Sequence, residues 1–152
     1  MEKRMSVMGI GHKAGAVIGS YLVVTILLSI LFRPLFQMTN QSYAVLLTVG
    51  IIMAVVGFSL NLAAAFQMLK AHRDDRLATT GFYGIFLHPM YFFQVFITLP
   101  GITLLFNSWL VLTTIPVGIV AVRQFSKEEN RYLANRYGEA YQAYLQKVPI
   151  KF

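Results

Sequence analysis

The chain has 152 residues, of which 57% are hydrophobic and 12% are charged. Soluble domains carry about 25% charged residues, so this composition excludes an ordinary soluble domain and indicates one integral membrane domain, residues 1–152. The absence of cysteine excludes disulfides, thiolate metal sites and a nucleophilic cysteine. The net charge of +7 comes from basic residues that flank apolar runs. We therefore expect anionic lipid headgroups as a partner, and not nucleic acid.

Four long runs with almost no charged residue predict four transmembrane helices. The hydrocarbon core of a bilayer requires about 20 apolar residues from a helix, and the second run is long enough to tilt. The third run contains Pro100-Gly101, which predicts a kink. The predicted spans are 14–32, 43–69, 89–106 and 109–124. The sequence thus predicts an all-α integral membrane fold.

Lys and Arg residues cluster on alternate sides of these spans. They precede the first span, lie between the second and third, and follow the fourth, whereas the other two connections carry only Arg33. Cytoplasmic loops of membrane proteins are enriched in Lys and Arg. We therefore expect the cell inner membrane as the location, with both termini and loop 70–80 in the cytoplasm.

Small residues recur at helical spacing in two of the predicted spans. Such residues allow another helix to approach closely in lipid. The two sets are Gly11, Gly15 and Gly19 in the first span, and Gly50, Ala54 and Gly57 in the second. Packing against a neighbouring helix of the same chain is the favoured interpretation for both. A homodimer through Gly11, Gly15 and Gly19 is the alternative for the first set. His12, next to these glycines at the membrane edge, is expected to be a surface residue.

Residues 125–147 have the pattern of an amphipathic helix at the membrane interface. Tyrosines and leucines recur on one face and basic or amide residues on another, with a break predicted at Gly138. An interfacial anchor does not explain the adjacent carboxylates of Glu128 and Glu129, which are costly near an apolar boundary. Either neighbouring cations neutralise them, or one glutamate points into a pocket. The candidate cations are Arg123, Lys127 and Arg131.

The loop after the second span contains a second adjacent acidic pair, Asp74-Asp75. It lies among basic residues and has no ligand-like spacing to His72. We therefore predict a solvated loop with internal salt bridges and no metal site.

His88 lies where a loop meets the third span. Proline disfavours helical backbone in the residue before it and fits the first turn of a helix. His88 is therefore predicted to end the loop, with Pro89 at the start of the helix. The charge pattern places His88 and the 125–147 segment on the same side of the membrane, where His88 could share a pocket with one of the two glutamates.

Two motifs occur in order along the second half of the chain. The first motif is Thr80-Gly81-x-Tyr83-(x)4-His88-Pro89-Met90-Tyr91, and the second is Glu128-Glu129-(x)3-Leu133-(x)3-Tyr137-Gly138-(x)2-Tyr141-(x)2-Tyr144-(x)3-Val148-Pro149. Together, over about residues 77–149, they resemble the isoprenylcysteine carboxyl methyltransferase and phospholipid methyltransferase superfamily. No glycine-rich dinucleotide-binding fingerprint is present.

The resemblance implies S-adenosylmethionine as methyl donor and a lipophilic or lipid-linked acceptor that arrives from the bilayer. It implies a site at the cytoplasmic end of the last helices, and it leaves open which of the two glutamates faces the pocket. An amine or thiol acceptor must lose a proton, whereas a carboxylate acceptor need not, so His88 would serve as a base only for the former. The implied catalytic residues are His88, Glu129 and Arg123, and the implied cofactor-binding residues are Tyr83, His88, Pro89, Tyr91, Glu128 and Glu129.

Two positions depart from the superfamily pattern. Leu87 and Gly84 occupy places where the resemblance leads us to expect basic residues. The contact that a basic residue would make from either position is then lost, or it comes from Arg73, Arg76 or Arg123. Two alternative functions remain open. One is a non-catalytic membrane protein of the same fold that binds a lipid or partner, and the other is a membrane reductase of the sterol-reductase type.

Overall fold

The computed structural model describes residues 11–39 and 43–151. The basic residues Lys3 and Arg4, which precede the first predicted span, fall outside this description, as do the surroundings of Gly11 and His12. The helices are α1 (Gly11–Leu31), α2 (Arg33–Phe36), α3 (Tyr43–Arg73), α4 (Pro89–Phe93), α5 (Leu99–Phe106), α6 (Trp109–Leu112), α7 (Thr114–Tyr137) and α8 (Glu139–Lys147).

Four helical segments are long and apolar enough to cross a membrane. They are Lys13–Leu31, Tyr43–Arg73, Pro89–Phe106 and Trp109–Tyr137. No strand is present within residues 11–39 and 43–151, where only two isolated bridges occur. The predicted all-α membrane fold with four transmembrane helices is therefore confirmed.

The four crossings lie side by side in an order that differs from their order in the sequence. The α4–α5 crossing packs between α3 on one side and α7 on the other, and α1 packs along α6 and α7. The spatial order is therefore second, third, fourth and first crossing. Large apolar side chains are exposed along α1 and α3, as expected for helices with a broad lipid-facing surface.

The glycines of α3 and α5 bring these two backbones into direct contact. A Cβ atom on Gly101 would lie 2.6 Å from the backbone nitrogen of Ala54, and one on Gly50 would lie 2.9 Å from the carbonyl oxygen of Gly101. Real Cβ atoms do not approach so closely, so glycine is required at both positions. The predicted packing role of the small residues in the second span is confirmed.

The glycine repeat of α1 behaves differently. Nothing lies within 4 Å of a Cβ built on Gly15 or Gly19, whereas Ala14 and Ile18 are buried against α7. The prediction that the repeat packs against a helix of the same chain is wrong for Gly15 and Gly19. The reason is that α1 uses a neighbouring face of its surface for this contact.

The third crossing contains one turn of π-helix, Gln94–Thr98, immediately before α5. Pro100 cannot donate to the carbonyl group of Phe96, the partner it would have in an α-helix, and its ring crowds that turn. The wider turn accommodates this defect, and the Thr98 hydroxyl donates to the Phe93 carbonyl at 3.2 Å. The irregularity that the sequence predicted at Pro100 therefore extends into the turn before it.

The fourth crossing and the start of the interfacial segment form one helix. α7 does not end at residue 124 but continues to Tyr137, and Gly138 then breaks it with a φ of 49°. After α8, the chain turns back to the loop before α4. There the Leu87 amide donates to the Ile150 carbonyl at 2.8 Å, and the Ile150 amide donates to the Ile85 carbonyl at 3.1 Å. The C-terminal residues thus hold the loop that carries His88.

Candidate functional site

A short 3₁₀ turn, Gly81–Gly84, leads the chain towards His88. Its backbone is fixed by Gln67 near the end of α3, whose Oε1 accepts the Phe82 amide proton at 3.0 Å. Gly81 has a φ of 64°, and a Cβ there would lie 2.6 Å from the Gln67 Oε1. A residue other than glycine would therefore strain the backbone and push away its anchor.

His88 precedes α4 with non-helical backbone angles, φ −129° and ψ 72°, and Pro89 begins the helix. The predicted loop-to-helix junction is confirmed. The His88 side chain is only 4% exposed. Its Nε2 lies 2.9 Å from Asn130 Oδ1, and its Nδ1 lies 3.9 Å from Glu129 Oε2. The imidazole is therefore held between two consecutive residues of α7.

The two adjacent glutamates point in different directions because consecutive helical residues differ by about 100°. The Oε2 atom of Glu129 accepts the Tyr91 hydroxyl proton at 3.1 Å, and its side chain is 24% exposed. Glu128 pairs instead with Lys13 of α1 at 2.9 Å, in a contact that is largely solvent-exposed. Glu129 is the glutamate that faces His88, and the observed partner of Glu128 is Lys13.

Tyrosines of α8 complete the cluster from the other side. Tyr141 donates to Asn130 Oδ1 at 2.8 Å, and Tyr144 donates to the carbonyl oxygen of Tyr83 at 2.7 Å. Burial, with a smaller contribution from the Glu129 carboxylate, raises the pKa of Tyr141 to about 12. Burial and Glu129 also raise the pKa of Tyr83, and burial next to Tyr141 raises the pKa of Tyr144. These hydroxyls are therefore protonated donors at neutral pH.

Leu87, the residue expected to be basic, is buried in an apolar cluster. It is 7% exposed and packs with Tyr141, Tyr144 and Val148. The basic residues that could replace its contact lie elsewhere. Arg73 and Arg76 face Asp74 at 3.9 and 3.3 Å, so the predicted internal salt bridges are confirmed for Asp74, whereas Asp75 pairs with Arg136 of α7.

The structure brings together some of the predicted site residues and separates others. His88, Tyr91 and Glu129 form one cluster, and Tyr83 joins it through Tyr144. Three predicted site residues do not join the cluster. Arg123 is exposed and lies about 10 Å along α7 from Asn130, the carboxylate of Glu128 faces α1, and Pro89 is fully buried and shapes the start of α4.

The sequence interpretation missed Asn130 and Tyr141. Asn130 lies four residues after Ser126 and eight after Val122, both buried on α7. This spacing continues the inward face of the helix, so the helical period contained the signal. Tyr141 was part of the second motif, but its role depends on where α8 packs after the break at Gly138.

The cluster can perform two kinds of chemistry. The Glu129 carboxylate offers a negative charge beside aromatic rings, which favours a cationic ligand. The His88 imidazole has two ring nitrogens, one of which can accept a proton when the other carries one. The fold and this cluster together define a class of protein: a helical membrane protein with an ionisable site at one end of its bundle.

Comparison with protein families identifies the class further. The phospholipid methyltransferase family matches residues 40–140, which is well over half of the 152-residue chain. The chain therefore belongs to the phospholipid methyltransferase family. No curated protein and no solved structure matches it. The predicted superfamily is confirmed, and His88, Tyr91 and Glu129 all lie inside the matched segment.

Proposed function

We propose that this protein transfers a methyl group from S-adenosylmethionine to a small lipophilic or lipid-linked acceptor at the cytoplasmic face of the membrane. The observation that carries the proposal is the cluster of His88, Tyr91 and Glu129, which joins the third and fourth crossings within the family segment. Its position at the end of two transmembrane helices gives a lipid-embedded acceptor lateral access.

The side chains present suit the positive half of this cofactor. S-adenosylmethionine would supply a methyl group activated by a sulfonium centre. Glu129, with its carboxylate 24% exposed, would bind the ammonium group as a charge-assisted hydrogen-bond acceptor. The aromatic faces of Tyr91 and Tyr83 would stabilise positive charge beside it. The hydrogen bond that the Tyr91 hydroxyl donates to Glu129 would keep the carboxylate in place.

The same cluster would handle the acceptor. Positioning supplies much of the rate when two reactants are held together. An amine or thiol acceptor must also lose a proton, and His88 is the base nearest to Glu129 in the cluster. The acceptors in this proposal are an isoprenylcysteine-like carboxylate, an amine headgroup and a thiol.

Calorimetric titration with S-adenosylhomocysteine tests the cofactor site in the detergent-purified protein. We expect wild type to bind it and Glu129→Gln to lose about 10- to 100-fold in affinity, because a charged partner is replaced by a neutral one. Glu128→Gln is the matched control, since its carboxylate faces Lys13, and it should bind like wild type. No binding by wild type would refute the methyltransferase proposal.

The same titration with NADPH separates the alternative functions. Binding of NADPH in place of S-adenosylhomocysteine would favour a membrane reductase. Binding of neither would favour a non-catalytic protein of the same fold. Equal loss of S-adenosylhomocysteine affinity in both glutamate variants would preserve the cofactor but overturn the assignment of Glu129.

The proposed orientation has its own test because the chain contains no cysteine. Met38 lies at the end opposite to His88 and is 42% exposed. A Met38→Cys variant should react with an impermeant thiol reagent on intact cells, whereas Lys151→Cys should react only after lysis. The reverse pattern would overturn the cytoplasmic placement of the site.

Two predicted partners also belong to this proposal. Exposed basic side chains at the site end of the molecule would contact anionic lipid headgroups; they are Lys127, Arg131, Lys147 and Lys151. A homodimer through the α1 glycine repeat stays a prediction, for which Gly15 and Gly19 provide open space. A chemical crosslink between Gly15→Cys copies would test it.

A further inference from the structure

The Asn130 side chain joins three separate parts of the chain. It belongs to α7, and its Oδ1 lies 2.9 Å from His88 Nε2 before α4 and 2.8 Å from the Tyr141 hydroxyl of α8. His88 and Tyr141 are 5% and 1% exposed. Both hydrogen bonds are therefore partly buried, and on the buried side of each bond an unmade partner is costly.

The hydrogen-bonding capacity of these groups determines where the protons lie. An amide oxygen only accepts, and it has two lone pairs. With Oδ1 facing both neighbours, it accepts the Tyr141 hydroxyl proton and a proton on His88 Nε2. If the amide were turned, its nitrogen would donate to both, and the buried Tyr141 proton would lose this acceptor. The first arrangement satisfies more buried donors, in agreement with the absence of unpaired buried side-chain atoms in the described part of the chain.

We propose that Asn130 is a positioning residue that fixes His88 as the Nε2–H tautomer and leaves Nδ1 as the proton-accepting atom of the site. The inference rests on the proposed function, in which an amine or thiol acceptor must lose a proton. The N–H or S–H bond of the acceptor would break, its proton would bind the Nδ1 lone pair, and the electron pair would stay on the acceptor nitrogen or sulfur, which forms the new bond to the methyl group as the methyl leaves the sulfonium sulfur. Asn130 itself touches neither reactant and acts through His88.

The surroundings of Nδ1 suit this role. It lies 3.9 Å from Glu129 Oε2, which is too far for a hydrogen bond, so its lone pair is not occupied by the carboxylate. Tyr91 already donates to that same oxygen. Once Nδ1 is protonated, the Glu129 carboxylate would stabilise the imidazolium. Tyr91 from α4 and Glu129 from α7 are titratable groups that face the ring, and Tyr141 from α8 shares the Asn130 oxygen with it.

Nitrogen-15 spectroscopy of histidine-labelled protein in detergent tests the inference directly. Spectra would be recorded at about pH 9, above the ordinary range of histidine titration, and the His88 signals would be identified by their loss in His88→Gln. We expect wild type to carry its proton on Nε2. Asn130→Leu should lower the ratio of Nε2–H to Nδ1–H about tenfold, because the acceptor is removed and Glu129 attracts the proton to Nδ1.

Two further variants separate positioning from folding. Asn130→Asp keeps an acceptor oxygen and should keep Nε2 protonated, and a proton that moves to Nδ1 in this variant would overturn the role of the acceptor oxygen even if Asn130→Leu does not fold. Asn135→Leu, an exposed asparagine of the same helix, is the matched control and should leave the spectrum unchanged.

The outcomes distinguish this inference from the proposed function. A proton on Nδ1 in wild type, or an unchanged ratio in folded Asn130→Leu, would overturn the role of Asn130 even if S-adenosylhomocysteine binds. A wild-type protein with the Nε2–H tautomer that binds no S-adenosylhomocysteine would overturn the methyltransferase proposal and leave the hydrogen-bond assignment intact.

Discussion

The two ends of the helix bundle each depend on one asparagine, but the partners of the two asparagines differ. At the end opposite to His88, Asn107 forms a turn with a φ of 48°. Its amide donates to the Thr39 carbonyl at 2.7 Å and accepts the Thr39 amide proton at 3.2 Å. Asn130 instead contacts two titratable side chains, His88 and Tyr141. Backbone partners make Asn107 structural, whereas ionisable partners place Asn130 in a site.

The side chains near the two asparagines differ in the same way. Near Asn107, three pairs of hydroxyl groups join α1 to the stretch from Ser108 to Thr114, in the way that polar side chains hold transmembrane helices together. The pairs are Tyr21 with Thr113 at 2.9 Å, Thr25 with Thr114 at 3.5 Å, and Ser29 with Ser108 at 2.6 Å. Asn130 instead contacts an imidazole and a phenol hydroxyl, and the Glu129 carboxylate lies 3.9 Å from the same imidazole. The chemistry of the described residues is therefore concentrated at one end.

The largest expected effect comes from placing arginine at position 87, as the superfamily resemblance would lead one to expect. Leu87→Arg would bury an unpaired charge in the cluster with Tyr141 and Val148, which costs about 3–5 kcal/mol. We expect a large fall in the thermal midpoint and no gain in S-adenosylhomocysteine affinity. Leu87→Met is the control and should cost less than about 1.5 kcal/mol. A stable Leu87→Arg protein with tighter binding would show that the apolar cluster rearranges readily.

The sequence predicted much of the fold because hydropathy and helix length depend little on tertiary contacts. The four crossings and the turn at His88-Pro89 followed from composition and local backbone rules. The glycine repeats did not follow in the same way. Similar spacings of small residues occur in α1 and α3, yet Gly50 and Gly57 touch a neighbouring helix whereas Gly15 and Gly19 do not. The neighbouring helices determine which face of a transmembrane helix is packed, and the spacing of small residues alone does not predict it.

Only part of the candidate site was predictable, because the positions of its other residues depend on how the helices pack. Its motif residues His88, Tyr91 and Glu129 were found from their order in the chain. The separation of Glu128 from Glu129 required knowledge that α1 packs on one side of α7. Asn130 resembled a solvated polar residue because it stands between a glutamate pair and Arg131. Its burial depends on α8 folding back after Gly138.

The opposite end should lose stability without losing cofactor affinity. Asn107→Ala removes two side-chain hydrogen bonds to Thr39 and places alanine in a left-handed conformation, for about 2–3 kcal/mol in total. Asn107→Gly keeps the backbone relaxed and isolates the loss of the amide, so it should destabilise less. Thermal unfolding and S-adenosylhomocysteine titration of the folded variants provide the measurements. Weaker S-adenosylhomocysteine binding by either folded variant would contradict the expectation that the Asn107 end does not affect cofactor affinity.

Alkaline pH should weaken the site end through its buried tyrosines. The folded protein raises the pKa of Tyr141 to about 12, above the ordinary value of about 10. A raised pKa means that this stability is fully present below pH about 10 and is lost as the pH rises towards 12. We expect a loss of about 1–2 kcal/mol from Tyr141, measured as the unfolding free energy against pH. Tyr141→Phe should flatten the part of this dependence that Tyr141 causes.

The smallest effect concerns the ion pair that separates the two glutamates. Lys13 and Glu128 lie 2.9 Å apart with side chains 59% and 46% exposed, and exposed pairs contribute only about 0–1 kcal/mol. Glu128→Gln and Lys13→Gln should each change stability within this range, and a double-mutant cycle should give a coupling of the same small size. High salt should remove most of it. A coupling above about 2 kcal/mol would mean that this contact is shielded by lipid. In that case the ion pair would stabilise the packing of α1 on α7 in addition to the buried contacts of Ala14 and Ile18.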